Sequence, residues 1–181
     1  VSIVDKNINK AKLLANKYKV NSFYKNTDSL FRKEKIDAVD ICTPNKEHEK
    51  NVISSLKKRK HVICEKPFIL NFKAFRKIKY LAKKNKLVCV AAQHQRFRQP
   101  SMDSKKLILK GKIGSIYTAH ISAIFNRSNT VKNSNFTTLS KSGGGPLIDL
   151  GSHFVDLAWW IIGSPKPIAV SVFTSNELAK Y

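Results

Sequence analysis

Acidic residues are scarce in this chain of 181 residues. Asp and Glu together number 12 against 34 Lys and Arg, which gives a formal net charge of +22 at pH 7. Such a basic balance is one signature of a nucleic-acid-binding protein. The cations, however, lie in short clusters scattered over the first 112 residues, and aromatic residues do not alternate with them along one stripe. We therefore interpret the charge as a lysine bias on solvated faces and do not expect nucleic acid as a partner.

Long apolar runs and closely spaced metal ligands are also missing. No stretch of 18 or more apolar residues occurs, and the opening VSIVDKNINK does not have the pattern of a signal peptide. The three cysteines, Cys42, Cys64 and Cys89, each lie in or at the end of an apolar run, without the spacing of a zinc site. We expect no membrane partner, no metal, and buried free thiols in a reducing cytoplasm.

A glycine fingerprint for a dinucleotide is absent, although its usual surroundings are present. The seven glycines nowhere form GxGxxG. The apolar run Val1–Val4 ends at Asp5, and a helical pattern follows, as in the second strand of a dinucleotide-binding unit. In such a unit the acid binds the ribose, and the glycine loop lies about 20 residues upstream. Asp5 favours NAD over NADP, because a carboxylate repels a 2′-phosphate, and Lys6 beside it weakens this preference.

Short apolar runs alternate with helical stripes through the first half of the chain. The runs cover residues 1–4, 36–42, 61–64 and 87–92. This alternation predicts a parallel, doubly wound α/β sheet. Ligands of such sheets bind beyond the carboxyl ends of the strands, so the residues directly after each run are the candidates for binding. These are Asp5, residues 43–45, residues 65–67 and residues 93–96.

The pattern changes after about residue 95. A helix is predicted over Met102–Leu109, an alternating run follows over Ile116–Phe125, and residues 127–142 read as a polar loop. A helix is then predicted over Pro146–Ile162 and a strand over Ile168–Thr174. We therefore predict two domains, one over residues 1–95 and the beginning of an α+β domain over residues 96–181.

The segment GGGPLIDLGSHFVD, residues 143–156, places Asp149 and His153 four positions apart on one face of the predicted helix. Histidine suits a general base near neutral pH, and a neighbouring carboxylate can orient it. Lys66 follows a β-run in Glu65-Lys66-Pro67, where its charge could stabilise a developing alkoxide. The alternatives are an incidental Asp–His pair on a solvated helix and one more surface lysine.

Several stretches together resemble one family. They are DAVDICTPNKEHEKNV at 37–52, KHVICEKPF at 60–68, QRFRQP at 95–100, GKIGSI at 111–116 and GGGPLIDLGSHFVDLAWWIIGSPKP at 143–167. In this order they are similar to the glucose-fructose oxidoreductase, inositol dehydrogenase and MocA (Gfo/Idh/MocA) family. The resemblance implies a Rossmann domain, here without its first strand and phosphate loop, followed by part of a substrate domain with an open, mainly antiparallel sheet.

The resemblance also implies a reaction, which is the NAD(P)-dependent oxidation of a secondary alcohol on a sugar or cyclitol, or its reverse. It makes Lys66, Asp149 and His153 the catalytic residues, with Lys66 also at the cofactor. The further cofactor-binding candidates are Asp5, Thr43, Pro44, Asn45, His48, Glu65, Gln93 and Arg96. For His48 the alternative is a polar residue in the first turn of a helix.

NAD is the expected cofactor, with NADP as the alternative, and a sugar or polyol is the expected substrate. The complete enzyme would be a cytoplasmic homo-oligomer, a dimer or tetramer. Because the chain is expected to be a fragment at both ends, we expect these 181 residues alone to be inactive. Two other functions stay open, namely an inactive remnant that serves as a binding or structural module, and a basic nucleic-acid-binding protein.

Overall fold

The computed structural model describes residues 1–124, 145 and 147–174, and it divides into two compact units. The first unit consists of residues 1–93, 145 and 147–152. Residues 94–124 and 153–174 belong to the second unit.

The first unit alternates strands and helices. Its strands are β1 (Ser2–Val4), β2 (Ser22–Tyr24), β3 (Ala38–Ile41), β4 (His61–Cys64) and β5 (Cys89–Ala91). Its helices are α1 (Ile8–Lys17), α2 (Thr27–Lys33), α3 (Asn45–Lys57) and α4 (Phe72–Asn85). Every strand pairing among them is parallel, as the sequence pattern predicts.

The strands form two sheets. In one sheet β1 pairs with β2, with Ile3 opposite Phe23. In the other sheet β4 lies between β3 and β5, with Val62 opposite Val39 on one side and Cys89 on the other. The orders β2-β1 and β3-β4-β5 match the two flanks of the doubly wound order 3-2-1-4-5-6. Among the described residues no ladder joins the two flanks.

An apolar core fixes the three-stranded sheet against α3 and α4. Its buried members are Ile41, Val52, Leu56, Val62, Cys64 and Ile78. Burying a Val, Leu or Ile side chain contributes about 1.5–3 kcal/mol each relative to its exposed state. Asn85 also donates a hydrogen bond from Nδ2 to the carbonyl of Leu56 at 3.2 Å, which ties the end of α4 to α3. This core sets the positions of the loops that leave β3 and β4.

Asparagine side chains begin three of the four helices of the first unit. Asn71 caps α4, because its side chain accepts a hydrogen bond from the Lys73 amide at 2.9 Å. Asn7 and Asn26 cap α1 and α2 in the same way. Strand β2 and helix α2 were not predicted. They are three and seven residues long, and Leu30 is the buried residue of α2, so their apolar pattern is weak.

The second unit contains a 3-10 turn over His94–Phe97, helix α5 over Gln99–Leu109 and nearly all of α6, which spans Ser152–Ile161. The predicted single helix over 146–162 instead begins with a π-helical stretch, Leu147–Gly151, in the first unit. A π-helix has wider turns than an α-helix, and hydrophobic spacing does not distinguish the two.

The predicted strands of the second half are not present in the described residues. Residues 115–124 and 164–174 belong to no ladder, and Ile124 and Ile168 are exposed. A strand needs a neighbour for its backbone hydrogen bonds, and these two segments do not pair with each other. The expected antiparallel sheet is therefore not formed by the described part of the chain. The predicted loop at 127–142 lies outside the described residues.

The cysteines agree only partly with the expectation of buried thiols. Cys64 is buried and Cys89 is half-buried, but Cys42 is exposed because it lies just beyond the end of β3. All three are free thiols. In the described residues we find no group of side chains that could hold a metal ion, and no helix there has the length and apolar character to cross a membrane.

Candidate active site

The loops after β3 and β4 are joined by His48, in the first turn of α3. Its side chain is fully buried. Its Nε2 lies 2.7 Å from the carbonyl oxygen of Thr43, and its Nδ1 lies 2.8 Å from that of Pro67. A neutral imidazole donates through only one of its nitrogens, so the tautomer sets which of the two carbonyls accepts the hydrogen bond. His48 therefore connects the loop that precedes α3 to the loop that carries Lys66.

The loop after β3 presents polar groups at the start of α3. Thr43 and Pro44 are exposed, and Asn45, the first residue of the helix, is buried. The hydroxyl of Thr43 accepts a hydrogen bond from Asn51 Nδ2 at 3.1 Å. The Glu47 amide of this first turn donates to the Pro44 carbonyl at 2.8 Å. The positive end of the helix dipole makes this end favourable for an oxygen-rich group.

Lys66 and Asp149 form an ion pair within the first unit, across 83 positions of sequence. The Lys66 ammonium lies 2.6 Å from Asp149 Oδ1 and also donates to the Asp149 carbonyl at 3.1 Å. The two side chains are 14% and 23% exposed, so solvent screens this pair less than an exposed one. Two of the three predicted catalytic residues are thus brought together.

Local structure supports both partners of this pair. Glu65 accepts a hydrogen bond from the Lys66 amide, and its own amide donates to the carbonyl of Ile41 at the end of β3. The peptide bond from Lys66 to Pro67 is cis. Asp149 lies in the π-helical stretch, a conformation that is frequent at functional sites. The Ser152 hydroxyl donates to the Asp149 carbonyl at 3.2 Å.

His153, the third predicted catalytic residue, begins the part of α6 that belongs to the second unit. It is 7% exposed, and the centroid of its ring lies 4.8 Å from that of His94, at an interplanar angle of 68°. Arg96, in the same 3-10 turn as His94, makes two hydrogen bonds to Asp156. Arg96, a cofactor candidate by sequence, is therefore already engaged by a carboxylate.

Two further cofactor candidates follow strands of the first unit. Asp5 comes directly after β1, and its Oδ1 accepts a hydrogen bond from the Asn7 amide at 2.7 Å. Lys6 extends towards Glu47, with 3.6 Å between Nζ and Oε2. Gln93 comes two residues after β5, and its Oε1 is buried without a hydrogen-bond partner among the described residues. A buried acceptor of this kind suits a donor on a ligand.

Sequence reasoning included His94 only within the candidate range 93–96, without a role of its own, and assigned no chemistry to Asp156. Both had a weak signal: His94 follows an apolar run by two residues, and Asp156 lies three positions after His153. Neither pattern is specific without the contact itself.

The thiols of the three-stranded sheet are poor nucleophiles. Burial, and secondarily the neighbouring Cys89 and Cys42, raise the pKa of Cys64 to about 12. Burial also raises the pKa of Cys89 to about 11. Since the thiolate is the reactive form, neither residue is suited to covalent catalysis near neutral pH.

Comparisons with known proteins match both parts of the chain to models of one family. Residues 1–94 match a family model described as "Oxidoreductase family, NAD-binding Rossmann fold", under the name GFO_IDH_MocA. Residues 102–180 match the GFO/IDH/MocA C-terminal domain.

Several of the curated relatives that match are named as dehydrogenases. The chain is 29% identical over 178 residues to D-glucoside 3-dehydrogenase of Escherichia coli, covering 98% of this chain and 50% of that protein. It is 27% identical over 164 residues to myo-inositol 2-dehydrogenase of Thermotoga maritima, covering 89% and 47%. The chain thus spans about half the length of these relatives.

Among solved structures, levoglucosan dehydrogenase in complex with NADH and levoglucosan matches with a TM-score of 0.73 and 26% identity. The match covers 90% of this chain and 44% of that one. A probable dehydrogenase from Thermotoga maritima matches in fold with a TM-score of 0.74 at 23% identity, over 90% and 48% of the two chains. Both family models match in order along the sequence, and together with the parallel α/β fold they show that the chain belongs to the Gfo/Idh/MocA oxidoreductase family.

Proposed function

We propose that this chain carries active-site residues of an NAD(P)-dependent dehydrogenase that oxidises a secondary alcohol of a sugar or cyclitol. The observation that carries the proposal is the ion pair of Lys66 with Asp149, which joins two motifs that are distant in sequence. The relatives named above are dehydrogenases of a glucoside, of myo-inositol and of levoglucosan. Their substrates share a ring that bears secondary hydroxyl groups.

Alcohol oxidation removes a hydride and a proton, and a bound nicotinamide cofactor supplies the hydride acceptor. We propose that the Lys66 ammonium faces the substrate oxygen and stabilises the negative charge that develops there. Asp149 holds the ammonium in place through their 2.6 Å contact. His153 takes the hydroxyl proton as a general base, a role that suits imidazole near neutral pH.

The polar residues beyond the strands are suited to a dinucleotide. One oxygen of Asp5 is engaged by the Asn7 amide, so the other is the candidate for a ribose hydroxyl. Gln93 Oε1 is a candidate acceptor for an amide or hydroxyl donor of the cofactor. Thr43, Pro44 and Asn45 would line the cofactor, and Glu65 would hold the loop of Lys66. Because both ring nitrogens of His48 already face carbonyls, we propose that His48 acts through the loops that it joins.

The test is a spectrophotometric screen of the intact gene product against a panel of sugars and cyclitols, following NADH absorbance. Lys66→Ala and His153→Ala should each lower turnover by about 10²-fold or more, the scale of a lost charge-stabilising or acid–base group, and leave NAD binding intact. Lys106→Ala, at an exposed lysine of α5, is the matched control and should behave as the wild type. Full turnover in either site variant would contradict that residue's role.

The assembly and the location stay predictions. A homo-oligomer is expected from the family resemblance, and a cytoplasmic location is expected from the free thiols and from the soluble enzymes of this family.

A further inference from the structure

We propose that His94 is a positioning residue for His153, and that an ion pair between Arg96 and Asp156 fixes the distance and angle between the two imidazole rings. The proposal rests on the proposed function through the role of His153 as the general base. All four residues lie in the second unit. His94 and Arg96 belong to the 3-10 turn over His94–Phe97, whereas His153 and Asp156 belong to α6.

The first observation is the contact of the two imidazoles. Their centroids are 4.8 Å apart and their planes are inclined by 68°, so the rings meet edge to face. This is a preferred geometry for aromatic pairs, which form it at centroid distances of about 4.5–7 Å. His153 is 7% exposed, whereas His94 is exposed to solvent. The His94 ring therefore packs against one side of the buried His153 ring.

The second observation is the ion pair between Arg96 and Asp156 beside these rings, which we call the clamp. Arg96 donates from Nε to Asp156 Oδ2 at 2.8 Å and from Nη2 to Asp156 Oδ1 at 2.5 Å. The two side chains are 29% and 16% exposed. A bidentate arginine–carboxylate pair fixes both distance and orientation, unlike a single contact. Arg96 lies two residues after His94, and Asp156 lies three residues after His153, so the clamp sets how the 3-10 turn meets α6.

A third contact continues the same face of α6. The Arg96 guanidinium lies 5.8 Å from the centroid of the Trp160 ring, and the Lys105 ammonium lies 5.4 Å from it. Lys105 also donates to the Trp160 carbonyl. Residues 153, 156 and 160 are spaced by three and four positions, so they lie on one helical face. This face of α6 contacts side chains within residues 94–105, and the His153 imidazole makes one of these contacts.

The consequence for His153 is a restricted ring orientation. A general base must meet its proton at hydrogen-bonding distance and angle, and a displacement of about 1 Å can cost up to 10²-fold in rate. Removing the His94 ring would remove the edge-to-face contact that limits the orientation of the His153 ring on that side. We therefore expect His94→Asn to lower kcat about tenfold and to leave KM and NAD binding within about twofold. His94→Phe keeps an aromatic edge or face there and should retain most of the activity.

Three variants of the intact gene product test this: His94→Asn, His94→Phe and Asp156→Asn. His120→Asn and Asp103→Asn are the matched controls, because both carry the same substitutions at exposed positions of the second unit. Turnover and KM are measured with the alcohol found in the activity screen. Independently of activity, the imidazole Hε1 signal of His153 is followed by NMR with labelled histidine, because the ring current of a neighbouring aromatic ring shifts it.

The expected result is a displaced His153 signal and reduced kcat in His94→Asn and in Asp156→Asn, with His94→Phe close to wild type in kcat. A His153 signal that stays unchanged in both His94→Asn and Asp156→Asn would overturn the proposal. Equal loss of turnover in His94→Phe and His94→Asn would overturn it too, because the imidazole of His94 would then act chemically itself. If the wild type oxidises no alcohol, the proposed function fails, and the NMR measurement still decides whether His94 orients His153.

Discussion

His48→Ala should destabilise the first unit strongly, even though histidine is a polar residue. The side chain is fully buried, and its nitrogens lie 2.7 Å and 2.8 Å from two carbonyl oxygens. A neutral ring donates to one of these carbonyls, and leaving that buried acceptor without a donor costs about 1–3 kcal/mol. The cavity left by the ring adds to this, as in other large-to-small substitutions. We therefore expect a loss of about 3–6 kcal/mol in the free energy of unfolding.

The assay is equilibrium unfolding in urea, monitored by circular dichroism. The free energies of unfolding are compared at an unchanged m value, which is the dependence of that free energy on urea concentration. His120→Ala removes an exposed imidazole and should change stability by less than about 0.5 kcal/mol. His48→Gln, which can still donate to one carbonyl, should fall between the wild type and His48→Ala. A loss below about 1 kcal/mol in His48→Ala would refute the reasoning, since the two carbonyls would then have other donors, such as water.

Two further predictions concern pH and the cofactor. The pKa of Cys64 is about 12 in the folded chain, against an ordinary value of 9.0. Above pH 9 the thiol therefore loses its proton in the unfolded chain and keeps it in the folded chain. The free energy of unfolding consequently falls as pH rises. Cys64→Ala should therefore show a shallower fall of unfolding free energy between pH 8 and 10.5, and parallel curves for the two proteins would contradict this. The 181-residue chain contains no GxGxxG motif. We expect it to bind NAD weakly by calorimetry, and micromolar affinity would contradict that expectation.

The fold was largely predictable because its signal is local. Apolar runs and helical stripes alternate in the first half, and the four runs coincide with β1, β3, β4 and β5 to within a few residues. Short elements such as β2 and α2 were missed, because three or seven residues bury too little apolar surface to leave a pattern. The segments predicted as strands in the second half show the opposite error. Alternation indicates that a segment can pair, but only a neighbouring strand makes it a strand.

The candidate site was predictable in its residue types and not in its contacts. The motifs around Lys66 and Asp149 identify both residues, yet nothing in either motif states that their charged groups lie 2.6 Å apart. His48 was expected near the cofactor, and only the structure shows that both of its ring nitrogens face backbone carbonyls. Arg96 was expected at the cofactor, and its two hydrogen bonds to Asp156 could not be read from a spacing of 60 residues.

The division of the strands into two sheets has a consequence for how this chain behaves in solution. Within the described residues, β1, β2, β3 and β5 each have one side without a ladder partner. Such edges are templates for pairing with another chain, and natural proteins protect them with charge or cover. β3 carries Asp40 as its ionisable residue, and β1 carries none. The net charge of +22 repels like molecules at low ionic strength and is screened by salt, so we expect any pairing of these edges between chains to increase with added salt.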